Sequence, residues 1–149
     1  MWIRCRSDAK KLNHGPTLIN ARVETVATKA PFAKLLVRPE RRCLVPADGW
    51  YEWLKPENPK GEKLPFRYTV DGGAPFAFAG LYDGTGVAIM TTEANEVCAP
   101  VHDRMPVVLD GPEAEAMWLS RDVDVPEAEG ALIRAVGAIG ARSRTIARR

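Results

Sequence analysis

Two histidines and three cysteines are all that this 149-residue chain offers for metal binding or thiol chemistry, and they are scattered. Cys5, Cys43 and Cys98 form an odd, irregularly spaced set, which argues against a disulfide framework and fits reduced thiols in the cytoplasm. Cys98 and His102 stand four apart with Pro100 between them, and no third ligand has suitable spacing, so no metal site is expected. A Cys98–His102 nucleophile–base pair is equally weak, because neighbours in sequence rarely meet in the geometry such a pair needs. The chain has no Gly-rich phosphate loop and no nucleotide fingerprint, so no cofactor is expected. No apolar run approaches the roughly 20 residues that span a bilayer. The opening "MWIRCRSDAKKLNHG" lacks the apolar core of a secretory signal, so neither membrane nor export is implied. Net charge is scarce too. A formal +2 is too small to announce a nucleic-acid binder. Arg4, Arg6, Lys10, Lys11, Arg38, Arg41 and Arg42 do crowd the first third, where a solvated basic face explains them more simply than a binding patch.

What is present is an ordinary globular composition, 46% hydrophobic and 27% charged, in a chain of one-domain size with enough length for a core. "APFAKLLV" (30–37) predicts a short helix, and "RCLVPADGWYEW" (42–53) predicts two short strands around a Pro-Ala-Asp-Gly turn. "LKPENPKGEKLP" (54–65) is a loop. "FRYTV" (66–70), "FAFAGLY" (76–82) and "VAIMTT" (87–92), separated by Gly-rich turns, have the spacing of an antiparallel meander. Thr92 is a candidate N-cap for helical turns over 93–99, and Asp110 with Glu113 resembles a capping pair for a helix over 112–120. Val107-Val108-Leu109 reads as a buried strand. No internal repeat is visible. The class is α+β, mainly antiparallel β with a few short helices.

Four polar insertions interrupt apolar surroundings. If Leu18-Ile19 begins a strand, Asn20, Arg22 and Glu24 alternate onto one face, as a polar edge would also do. Glu52, inside Trp50-Tyr51-Glu52-Trp53, is either a desolvated carboxyl suited to proton transfer or a glutamate on the wet face of an edge strand. Thr91-Thr92-Glu93-Ala94-Asn95 is most simply a helix start. His102-Asp103-Arg104 places three ionisable groups at the mouth of the buried run, where a structural, hydrogen-bonded histidine is the commoner case.

Taken together and in this order, "LINARVET", "RRCLVPADGWYEW", "PFAFAGLY", "TTEAN" and "HDRMPVVL" closely resemble the SRAP family, the SOS response-associated peptidases that process abasic sites. The resemblance spans residues 18–109 and implies a distorted β-barrel of SRAP type acting on abasic sites in single-stranded DNA. It implies family chemistry that starts at an N-terminal cysteine. Its α-amine condenses with the ring-opened abasic aldehyde and its thiol closes a thiazolidine, shielding the lesion as a DNA–protein crosslink. Asn20 matches the asparagine that holds the adduct. Glu52 matches the glutamate that handles protons during propeptide removal, imine formation and reversal. His102 matches the histidine that assists sugar ring opening. Arg22 and Arg104 match arginines that grip flanking phosphates, a task suited to planar guanidinium forks. Trp2 corresponds to a family tryptophan at the DNA channel.

The chain also departs from that pattern. Family members open Met-Cys-Gly-Arg, whereas this chain opens Met1-Trp2-Ile3-Arg4, and Cys5 is neither N-terminal nor in the matching context. The expectation is a partial SRAP domain over 1–125, truncated at the front, with covalent capture impaired, followed by an Ala/Gly/Arg-rich tail over 126–149 that is disordered in part. Three functions remain open: an abasic-site processing protein with peptidase and lyase-type chemistry, a non-covalent single-strand binding module, and an inactive fragment. The expected partner is single-stranded DNA with abasic sites, met by a cytoplasmic monomer without metal.

Overall fold

The computed structural model describes residues 18–58, 60–84 and 86–121, and the backbone of 144–147. Short apolar runs broken by Pro, Gly and Asp favour strands over long helices. The elements are β1 (Asn20–Arg22), α1 (Val23–Val26), α2 (Phe32–Leu36), a 3-10 turn (Pro39–Arg41), β2 (Arg42–Ala47), β3 (Trp50–Leu54), β4 (Leu64–Thr69) and β5 (Phe76–Tyr82). They continue with β6 (Val87–Glu93), β7 (Arg104–Pro106), β8 (Val108–Leu109), α3 (Gly111–Leu119) and β9 (Arg144–Ala147). The class is α+β, as expected. The larger sheet runs β1-β6-β5-β2, with β7 on β6 and β8 on β5; the smaller runs β3-β4-β9.

The segment 104–109 is a wedge. β5 and β6 pair only where Gly80, Leu81 and Tyr82 face Ile89, Ala88 and Val87. Beyond that point they part, and the wedge fills the gap: β7 pairs with β6 (Thr91 with Pro106) and β8 pairs with β5 (Phe78 with Val108). Between them the Val107 N–H donates to Met90 O at 2.9 Å, and Val107 O accepts from Ala79 N–H at 3.1 Å. Thr91 pairs with Arg22 on its other side, so β1 and the wedge flank β6 on opposite edges. Val107, Val108 and Leu109 are buried, which is why this stretch is uninterruptedly apolar.

Alternation along the strands divides two cores. Ala21, Ala79, Met90 and Val107 pack with Leu36 and Trp118 of the helices. Trp50 and Tyr68 of the small sheet pack with Phe78, Cys98, Met105 and Val108. α3 is tied to β2, because Trp118 Nε1 donates to Cys43 O at 3.0 Å and Arg42 Nη1 donates to Trp118 O at 3.2 Å.

Several local expectations change. Half of the meander holds: β5 and β6 pair antiparallel, but β4 pairs with β3, not β5, after a turn with positive φ at Asp71, Gly72 and Gly73 that leads the chain between the sheets. β2 and β3 likewise lie in different sheets. Thr92 caps no helix. It pairs with Met105, and Asn95 Oδ1 instead accepts the Val97 and Cys98 N–H groups at 3.1 and 3.0 Å, holding the turn after β6. Asp110 sits at the N-cap of α3 without a side-chain bond to it. Glu24 belongs to α1 rather than to strand β1. In the tail, Arg144–Ala147 pair with β4, extending a sheet that would otherwise present that edge unpaired.

Gly49 lets β3 start close to β4. A Cβ there would lie 2.5 Å from the Tyr68 carbonyl oxygen, a backbone atom that has little room to retreat. Gly49→Ala is expected to lower unfolding free energy by about 1–3 kcal/mol in urea titration; an unchanged midpoint would contradict this close approach.

Candidate functional site

β1 sets the first two residues. Register places Asn20 beside Ile89, Ala21 beside Met90 and Arg22 beside Thr91. Paired residues share a face, so Asn20 and Arg22 project away from buried Ala21, onto the side where Ile89 packs against the second core. Both are exposed, and neither has a hydrogen-bond partner among the described residues.

Glu52 comes from β3, where Trp50 is buried while Tyr51 and Trp53 are exposed. Strand alternation therefore puts Glu52 on the inner face with Trp50, and the aromatic wall behind it is Trp50 and Tyr68 rather than Tyr51 and Trp53. Burial raises its carboxyl above the usual value of 4.5, and the nearby His102 ring pulls in the opposite direction. Cys98 adjoins the same group: burial, then the charge of Glu52, pushes its thiol up to about 11. The thiol is thus protonated and 1% exposed, an inert arrangement.

His102 follows the Asn95-held turn, its backbone N–H bonding Cys98 O at 3.1 Å. Its Nδ1 lies 3.0 Å from the Arg104 N–H, from which it accepts, and 3.2 Å from Arg104 O, to which it donates when protonated. The same Nδ1 lies 3.2 Å from Asp103 Oδ1, which would receive a proton there once the ring is charged. With 39% of the side chain exposed, the ring is half in water, as the sequence position implied.

Arg104 is held more firmly than sequence reasoning anticipated. Nη1 and Nη2 donate to the two oxygens of Glu24 at 2.8 and 2.9 Å, and Nη2 also donates to Thr91 O at 2.8 Å. Arg22 and Arg104 thus both flank Thr91, but Arg104 is neutralised by Glu24 and Arg22 has no such partner among the described residues. The hydrogen bond from Arg104 holds the Glu24 carboxyl below its ordinary 4.5. The polar alternation of "NARVET" flagged Glu24; only the wedge reveals its partner. Trp2 and Cys5 lie outside the described residues.

The structure therefore sets Glu52 within electrostatic reach of His102 and places Arg104 against Arg22's neighbour Thr91. Among the described residues no hydrogen bond joins Asn20 to Glu52 or His102. A carboxyl with a raised pKa within electrostatic reach of an imidazole is an arrangement suited to proton transfer. A cavity of about 310 Å³ lies elsewhere, between the β4–β5 turn and the start of α3, and none of these residues lines it. No cluster of metal-binding residues occurs among the described residues.

Two pH-dependent outcomes follow. A carboxyl whose folded pKa is lowered stabilises above its unfolded pKa, and that contribution is lost as pH falls through the folded value. The stability difference between wild type and Glu24→Gln, read by thermal unfolding, is therefore expected to shrink below about pH 4.5; a constant difference would contradict the ion pair. Glu52 has the opposite sign: its raised folded pKa favours the protonated form, and stability is lost as pH rises through it. Glu52→Gln is expected to raise Tm at pH 7 by about 1–3 °C, with the gain vanishing below pH 4.5; a fall at pH 7 would contradict the desolvation.

Comparison with known proteins identifies the family. The family model described as "SOS response associated peptidase (SRAP)" matches residues 1–147. The chain is 42% identical over 121 residues to the abasic site processing protein YoqW of Bacillus subtilis, covering 75% of this chain and 52% of that one. It is 36% identical over 121 residues to YedK of Escherichia coli (76% and 52%) and 30% identical over 124 residues to HMCES of Xenopus tropicalis (67% and 37%), both also abasic site processing proteins. The chain spans about half the length of the bacterial relatives. Among solved structures, a phage-related protein from Bordetella bronchiseptica superposes with a TM-score of 0.74 at 34% identity, covering 91% of this chain and 67% of that one. Motif order, fold and these matches agree, and the chain belongs to the SRAP family.

Proposed function

We propose that this chain binds single-stranded DNA and acts at abasic sites, with Glu52 and His102 as its proton-handling pair. The observation that carries the reading is their proximity in charge: a half-buried carboxyl with a raised pKa, within electrostatic reach of an imidazole that sits half in water. At an abasic sugar such a pair suits two steps. Ring opening needs a proton taken from the anomeric hydroxyl and one delivered to the ring oxygen as the C–O bond breaks, and His102 is suited to relay it. Imine formation needs an acid to protonate the departing hydroxyl of the carbinolamine, so that water leaves, and Glu52 is suited to that. Asn20, on the exposed side of β1, is the candidate hydrogen-bonding group for the adduct. Arg22 is the candidate phosphate contact; Arg104 reaches that role only by sharing its fork with Glu24.

Covalent shielding asks for more than these residues. A thiazolidine needs an amine and a thiol on one residue's own carbon skeleton. Cys43 and Cys98, the free thiols among the described residues, are internal and at least partly buried, so neither supplies that combination. A second reading is that the domain binds single strands without capturing them, or captures them only as a transient imine with lyase character. The free state of both thiols supports a reducing, cytoplasmic setting, and no helix among the described residues is long and apolar enough to cross a membrane. A monomer is the simplest state for such a binder.

Binding to single-stranded DNA is expected to weaken steeply with salt, the slope of log K against log salt falling by about 0.7 in magnitude for Arg22→Ala and by less for Arg104→Ala. Base preference should not change in either variant. Incubation with an oligonucleotide carrying an abasic site, resolved on a denaturing gel, is expected to retain a band only with borohydride. A heat-stable band without borohydride would show that the nucleophile is misplaced. No band in either lane leaves the non-covalent module, and salt-independent or duplex-preferring binding leaves an inactive fragment.

A further inference from the structure

The inner face of the β3–β4 pair carries one polar group with no assigned work. Trp50 and Tyr68 are register partners, and Glu52 pairs with Phe66, two residues along each strand. Alternation puts these four side chains on one face, which makes Tyr68 and Glu52 diagonal neighbours, a separation long side chains bridge. Tyr68 is 0% exposed and its ring stacks on Trp50 at 5.2 Å. Its hydroxyl has no hydrogen-bond partner among the described residues. Buried phenol groups nearly always have one, so the orphan asks for an acceptor.

The acceptors within reach are few. The titratable groups that face Glu52 are Tyr68 on β4, and Cys98 and His102 on the connection between β6 and β7. The Cys98 thiol is protonated and a poor acceptor. Burial first, then Cys98 and Glu52, pushes the Tyr68 hydroxyl up to about 12, so it is a donor throughout the neutral range. Trp50 Nε1–H is the other orphan on this face, but its indole is fixed edge-on against Phe76 and Phe78 at 6.3 and 6.0 Å. That leaves the ionised carboxylate of Glu52 as the strong acceptor for Tyr68.

We infer that Tyr68 is a positioning residue for Glu52: its hydroxyl donates to the inner carboxylate oxygen from behind, leaving the outer oxygen to face His102 and the substrate. This rests on reading Glu52 as the proton-handling group. In the structure this bond is unmade; a change of Glu52 rotamer closes it, most strongly when the carboxyl is ionised and is the better acceptor. Tyr68 makes no contact with substrate in this scheme and acts only through Glu52.

The test follows the Glu52 carboxyl directly. Protein labelled with carbon-13 at glutamate carboxyls is titrated by NMR, with the Glu52 resonance assigned by its loss in Glu52→Gln. A hydrogen bond to the charged form lowers an acid's pKa, so Tyr68→Phe is expected to raise that of Glu52 by about one unit, roughly tenfold in proton affinity. Borohydride trapping on abasic DNA should shift its acidic limb upward by the same amount. The reciprocal experiment needs no change at Tyr68: in Glu52→Gln the phenol should ionise at lower pH than in the wild type measured alongside, read by ultraviolet absorbance. An unmoved Glu52 titration in folded Tyr68→Phe overturns the inference. Should that variant not fold, an unmoved Tyr68 titration in Glu52→Gln overturns it. Coupling of the two groups without any trapped adduct removes the functional reading while leaving the pair, whereas a trapped adduct without coupling removes Tyr68's role alone.

Discussion

The insertion of residues 104–109 between β5 and β6 is the constraint on which the rest depends. Two adjacent strands in a sheet normally pair along their length; here they part after three residue pairs, and Val107 spans the gap with one bond to each neighbour, at 2.9 and 3.1 Å. Burial of Val107, Val108 and Leu109 holds that wedge in place. An apolar run drives it inward, and the polar residues just before it are carried to the surface by the same stroke. The site is thus a by-product of core formation. His102 and Arg104 stand where they do because their neighbours cannot.

The Glu24–Arg104 ion pair then joins the wedge to the residues following β1. Its two short bonds and the third to Thr91 O cross-link α1, β6 and β7 at one point. An ion pair this close, with 16% of the arginine side chain exposed, fixes orientation more than it adds stability. It also subtracts a charge: of the two arginines beside Thr91, Arg104 is paired with Glu24, and Arg22 has no such partner among the described residues. Glu52 stands in a different balance. Its wall of Trp50 and Tyr68 penalises ionisation, while His102 favours it, and the balance leaves its carboxyl above the ordinary value of 4.5.

Much of this was legible in the sequence, and the failures share a cause. Strand positions followed from apolar runs and Gly or Pro turns, and the buried run after His102 was unmistakable. Strand partners were not, since neither periodicity nor turn chemistry says that β4 turns toward β3 or that β5 accepts β2. The Asn95 cap was hidden behind an equally good candidate, Thr92, whose backbone was already committed to pairing with Met105. Asn20, Glu52 and His102 were singled out by motif resemblance, and spacing alone did not say that Glu52 on β3 lies within electrostatic reach of His102. Tyr68 escaped because a tyrosine in a strand is unremarked until its hydroxyl is seen to lack a partner.

The central claim is that β1, β3 and the wedge present one DNA-facing surface. Amide chemical-shift mapping with a short single-stranded oligonucleotide carrying a stable abasic-site analogue tests it most directly. The account predicts that the perturbed amides cluster at Asn20 to Glu24, Trp50 to Glu52 and His102 to Arg104. Perturbations confined to the cavity between the β4–β5 turn and α3, or spread evenly over the surface, would contradict it.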